Sequence, residues 1–182
     1  YETSNPLDQT AKELEITIFV SISEELVLKK IEDTIAQHFH FNNVKFSSFT
    51  LASFAVVRDV YINQDNFLLI NIGGEVTDIF MVKKNILRES ISFPLGYNFI
   101  IRKVASLLHS SLDEAESFVS LLKDGHATEL ITKKIDPVVN KLKAEWLAKF
   151  QESLSNLSND VSVPATIYLT TEKEVADFFS ET

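Results

Sequence analysis

Residues 70–80 read INIGGEVTDIF, a Gly73-Gly74 pair set among apolar residues and closed by Thr77 and Asp78. Two readings of the pair stand side by side. Paired glycines serve hairpin turns that need positive φ. A glycine-rich loop also lets a backbone approach phosphate oxygens and offer them amide N–H groups. The flanking residues set the context. Stretches 67–71, 76–82 and 86–93 are short, apolar and β-branched or aromatic, and so read as three consecutive strands. Gly73-Gly74 and Lys83-Lys84-Asn85 are tight connections between them, which makes an antiparallel meander.

Upstream, residues 14–20 have the period-two character of a strand. Ser21 and Glu24 fit a capping box opening a helix whose apolar face runs through Leu26, Ile31, Ile35 and Phe39. Residues 44–49 read as a short strand and 51–60 as a helix capped by Thr50. This β, α, β, α order predicts parallel pairing with helices packed on the sheet. Downstream, Gly96 precedes a helix over 98–109, and Ser111 with Glu114 forms a second capping box for a helix reaching Leu122. Asp136-Pro137 reads as an N-cap with proline at the first helical position. From there Val139, Leu142, Trp146, Phe150, Leu154 and Leu157 continue one stripe. Residues 165–169 resemble a fully buried strand, and 172–179 a closing helix.

Composition narrows the partners. At 182 residues the chain should bury about 70% of its unfolded surface, enough for a real core. The formal charge is −9 with scattered Lys and Arg, which argues against nucleic acid. Cysteine is absent, which removes disulfides and thiolate metal sites, and no apolar run approaches the ~20 residues of a spanning helix. The chain starts with Tyr1 and its one methionine is Met81, so it is expected to be a piece of a longer protein.

With the meander goes a family resemblance. LLINIGGEVTDIFMVKKNILRESISFPLGYNFIIRKVA (residues 68–105) resembles the bacterial actin homologues FtsA, of cell division, and PilM, of type IV pilus assembly. LDEAESFVSLL (112–122) and VKFSSFTLASFAVVRDV (44–60) are similar to neighbouring stretches of that family. The resemblance implies an α/β, actin-like (ribonuclease H-like) fold: a three-stranded antiparallel meander extended by parallel strands, with flanking helices, as a partial chain. It places the end of a first subdomain at residues 1–62 and a second at 63–182. It also implies a phosphate loop made of Asn71, Gly73, Gly74, Thr77 and Asp78.

That loop departs from the family pattern. The leading Asp is Asn71, whose amide supplies neither a base nor a charge for a magnesium shell. Glu75 replaces a third glycine, and a carboxylate about 4 Å from a phosphate charge costs roughly 4 kcal/mol at an effective dielectric near 20. Where the family carries a Gly-Gly turn after the late strand, Thr171-Glu172-Lys173-Glu174 stand here, and Pro-x-Gly-Gly has become Pro94-Leu95-Gly96-Tyr97.

Other candidates are weaker. His38 and His40 lack nearby metal co-ligands and read as surface residues, and Trp146 and Phe150 read as core. Asp78 reads as solvated or paired across strands. No Ser-His-Asp order, nucleophile elbow or HExxH is present. The expected function is therefore an actin-like scaffold, docking protein partners of a membrane-associated bacterial assembly from the cytoplasmic side, with weak or no ATP hydrolysis and no direct membrane contact. No cofactor and no catalytic or metal residue is expected. The alternatives are an active ATP- and magnesium-dependent actin homologue and a sugar-kinase-like phosphotransferase; an oligomer is left open.

Overall fold

The computed structural model describes residues 8, 10, 12–13, 18–41, 43–123, 126, 128–157 and 162–180. They fall into two units, Tyr1–Asn63 and Gln64–Thr182. The described part of the first contains two helices, α1 (Glu25–Phe39) and α2 (Phe49–Val60). Both start elsewhere than their sequence signals suggest. Glu24, in extended backbone, is the N-cap of α1 without a side-chain bond, so the Ser21–Glu24 box does not form. Ser48, not Thr50, caps α2: its Oγ accepts from the Leu51 amide at 3.2 Å. The strand expected over 14–20 lies outside the described residues at 14–17, and 18–20 do not take strand structure. Of residues 44–49, read as a strand, 44–48 are also irregular and Phe49 is already the first residue of α2. Strand propensity needs a neighbouring ladder to act on, and the described part of this unit offers none. Several of its apolar side chains stay open, Ile22 at 94% and Leu26 at 72% exposure, while Phe54 and Val57 of α2 are buried.

The second unit is built on the meander. Strands β1 (Phe67–Ile72), β2 (Thr77–Lys83) and β3 (Ile86–Phe93) follow one another, and β4 (Ile167–Thr170) returns beside β1. Sheet order is β3-β2-β1-β4, antiparallel within the meander and parallel between β1 and β4. β1 is apolar at nearly every position and nearly all of it is buried, as a central strand covered on both faces demands. β4 corrects the expectation of a fully buried strand. It is an edge strand, with Ile167 exposed, while Tyr168 meets the Phe67 ring edge-on at 5.2 Å. Lys84 and Asn85 join β2 to β3, both with positive φ (51° and 58°), the type I′ geometry that matches strand twist.

Helices α3 (Tyr97–Leu108), α4 (Leu112–Lys123) and α5 (Glu129–Leu157) pack behind the sheet, and a 3-10 turn (Lys173–Val175) leads into α6 (Ala176–Ser180). The α4 capping box forms as read. Ser111 N donates to Glu114 Oε2 at 2.9 Å, and Glu114 N donates back to Ser111 Oγ at 3.3 Å. The start of α5 does not. Asp136-Pro137 opens nothing, because Pro137 lies inside a helix of 29 residues. The fully buried Ile135 and the partly buried Ile131 carry the apolar stripe past the proline. Burying one such side chain is worth about 1.5–3 kcal/mol, comparable to the ~3 kcal/mol that an interior proline costs. Trp146, from the middle of α5, contacts Phe93 and Phe179 in the core and stacks on the partly buried Phe150 (5.2 Å, 9°).

Candidate functional site

Residues 73–76 join β1 to β2, and their backbone is committed to the helix beside them. Gly73 N donates to Val76 O at 2.9 Å. The Gly73 and Gly74 carbonyls accept from the amides of Tyr97 (3.0 Å) and Asn98 (2.9 Å), two of the N–H groups that the first turn of α3 would otherwise leave unpaired. Neither glycine has a left-handed φ, so the simple hairpin reading fails along with the positive φ it requires. Close approach is what excludes side chains here. A Cβ on Gly96, the N-cap of α3, would lie 2.2 Å from Gly73 O and 2.4 Å from Gly74 O. One on Gly74 would meet Asn98 Nδ2 at 2.8 Å.

The side chains read from the sequence as a phosphate loop separate onto two faces. Asn71 and Asp78 are paired in register and share one face of β1 and β2; Thr77, next along the strand, points the opposite way. Thr77 is fully buried. Its Oγ1 donates to Leu95 O at 2.6 Å and accepts from Trp146 Nε1 at 3.2 Å, which ties α5 to the segment entering α3. Asp78 accepts from Ser92 Oγ at 2.6 Å, the cross-strand pairing its position suggested. The Thr170 hydroxyl lies 3.2 Å from both Ile70 O and Asn71 Oδ1.

Glu75 bears the principal charge of the loop and folds onto α3. Its Oε1 and Oε2 accept from Arg102 Nη1 and Nη2 at 2.7 and 2.8 Å, and Asn98 Nδ2 adds a third bond at 3.0 Å. The Arg102 hydrogen bonds first, then that of Asn98, lower the carboxyl pKa from 4.5 to about 2. The side chains of Arg102 and Glu75 are 51% and 61% exposed, so solvent screens the pair and its weight in stability is small. Asn98 and Arg102 were not among the residues singled out from the sequence. Their i, i+4 spacing on the helix after Gly96, opposite a single acidic loop residue, is the signal that points to them.

A cleft of about 300 Å³ opens beside this clasp, lined by Glu75, Asn98 and Arg102, by Glu116 of α4, and by the less polar Tyr97, Ile101 and Leu112. At the end of β4, where the resemblance implies a glycine turn, Thr171 leads into the 3-10 turn and Val175 is buried in the core. Among the described residues no group of three His, Asp or Glu side chains is placed to hold a metal ion, and no helix is long and apolar enough to cross a membrane.

This arrangement of meander, parallel return strand and flanking helices is an α/β, actin-like fold. No protein-family model and no curated protein matches the chain. Among solved structures it is similar to the PilM–PilN type IV pilus biogenesis complex, at 18% identity and a TM-score of 0.51, over 71% of this chain and 38% of that one. It is also similar to the ethanolamine utilization protein EutJ from Carboxydothermus hydrogenoformans (21% identity, TM-score 0.49, 70% of this chain and 43% of that one). A third similarity is to an archaeal actin homolog (17% identity, TM-score 0.47, 71% and 44%). The chain spans less than half the length of each.

Proposed function

We propose that this chain is the docking part of an actin-like scaffold, in which a loop of the phosphate-binding type has become architecture. Residues 1–62 then form the end of a first actin-like subdomain and 63–182 a second, serving a membrane-associated bacterial assembly of the type IV pilus or cell-division kind. Its partners are proteins met at the cytoplasmic face of the membrane. ATP hydrolysis is weak or absent.

The observation that carries this reading is the clasp of Glu75 on Arg102 and Asn98, which closes the loop onto α3 from within. The donor chemistry is a poor match for magnesium triphosphate in three respects. Glu75 brings a carboxylate to the loop; Asn71 supplies an amide in place of a charge; Thr77 spends its hydroxyl inside the core. A loop closed without nucleotide presents the same surface at every stage of an ATP cycle, which suits a scaffold. The −9 charge disfavours nucleic acid as the partner, and the PilM–PilN structure supplies a precedent for this fold in a multiprotein complex.

Calorimetric titration of the full-length protein with ATP and magnesium tests the reading. The expected result is no binding in the micromolar range. Micromolar, magnesium-dependent affinity would establish the active actin homologue in its place, and phosphoryl transfer to a small alcohol the phosphotransferase.

A further inference from the structure

Three N–H donors converge on the Glu75 carboxylate. Arg102 supplies two in the planar fork of its guanidinium, at 2.7 and 2.8 Å, and Asn98, one helical turn earlier, supplies the third at 3.0 Å. A bidentate guanidinium with an added amide donor is matched to a carboxylate and equally to two oxygens of a phosphate. Glu75 is carried on the connection 73–76, outside both strands, so its side chain can leave the fork without breaking a ladder bond. The fork also opens on a space. The adjoining cleft of about 300 Å³ falls at the lower end of the range for small-molecule sites, and Tyr97 and Leu112 give it an apolar wall.

We propose that Asn98 and Arg102 form an anion site for phosphate esters and diphosphates, and that Glu75 occupies it as a tethered ligand, shutting the cleft against phosphate from solution. The inference deepens the docking-domain reading and rests on it for the closed loop. A carboxylate fixed to the neighbouring loop competes at a high effective concentration and repels an incoming anion as well. Among the described residues that line the cleft, the other charged one is Glu116 of α4, which opposes anion binding and moderates what removal of Glu75 releases.

The test is binding of inorganic pyrophosphate, measured by calorimetry and by thermal shift against sodium chloride of equal ionic strength. Wild-type protein is compared with Glu75→Ala, Glu75→Ala/Glu116→Gln and Glu75→Ala/Arg102→Ala. Loss of the tethered carboxylate should tighten pyrophosphate binding by at least about tenfold. The Glu116→Gln change should tighten it further, and Arg102→Ala should abolish it. If Glu75→Ala does not fold, Glu75→Gln removes the charge with little change of shape and carries the same expectation. Equal affinity of wild-type and Glu75 variants, or variants that bind no pyrophosphate, would overturn the inference. The docking-domain reading fails on a different result, the binding of ATP and magnesium by wild-type protein, so the two failures are separable.

Discussion

The two connections of the meander solve opposite problems. The Lys84–Asn85 turn contains no glycine yet holds both residues at positive φ, whereas the glycine pair of the 73–76 loop keeps both residues out of the left-handed region. In the first, the constraint is twist: a two-residue hairpin must match the flanking strands, and Asn tolerates αL through its short polar side chain. Asn66 Oδ1 and Asp65 O also hold this turn, accepting from the amides of Lys84 (3.2 Å) and Asn85 (2.9 Å). In the second, the constraint is space, because the carbonyls of Gly73 and Gly74 reach the backbone of α3 where Gly96 makes room. A glycine pair in a sequence thus does not say which of the two needs it serves. Its neighbours in space do.

The contrast can be broken at several points. Gly96→Ala should have the largest effect, because its Cβ would sit 2.2 and 2.4 Å from backbone carbonyls that cannot rotate away. A loss of about 3 kcal/mol or more in denaturant titration is expected, and a loss below ~1 kcal/mol would remove close approach as the reason for the glycine. Thr77→Val follows. It leaves Leu95 O and Trp146 Nε1 without their partner in the core, for about 2 kcal/mol. Emission from the lone Trp146 should report the change directly. In the other connection, Asn85→Val places a β-branched residue at a φ of 58° and should cost about 1–2 kcal/mol, whereas Asn85→Gly should stay within ~0.5 kcal/mol.

The smallest effect belongs to Glu75→Gln, and its signature is pH dependence. The folded-state pKa of Glu75 is depressed from 4.5 to about 2, so the stability it contributes is present above 4.5 and is lost as pH falls through about 2. Wild type should therefore exceed the variant at neutral pH and converge on it between those values. Parallel stability curves across that window would show that the clasp does not form in solution.

Much of the larger unit was legible because its signals are local. The meander follows from three apolar runs and two polar connections, and the α4 capping box from Ser111 and Glu114 spaced to bond each other. Trp146 declared itself core by its place in a helical stripe. The misreadings come where distant contacts decide. Pro137 marks a helix start only until Ile135 is buried ahead of it, and the apolar residues at 44–49 make a strand only beside a ladder. The site was half legible for the same reason. Thr77 and Asp78 carry one sequence signature whether they meet a ligand, a core tryptophan or a cross-strand serine. The partners of Glu75 lie 23 and 27 residues away on another element.

The claim at the centre is that the glycine loop is closed by the protein itself. Amide hydrogen exchange at Tyr97 and Asn98, whose N–H groups donate to Gly73 O and Gly74 O, tests it most directly. Both amides should exchange slowly in nucleotide-free protein and at the same rate in saturating ATP and magnesium. Rapid exchange in the free protein that becomes slow on adding nucleotide would contradict the account.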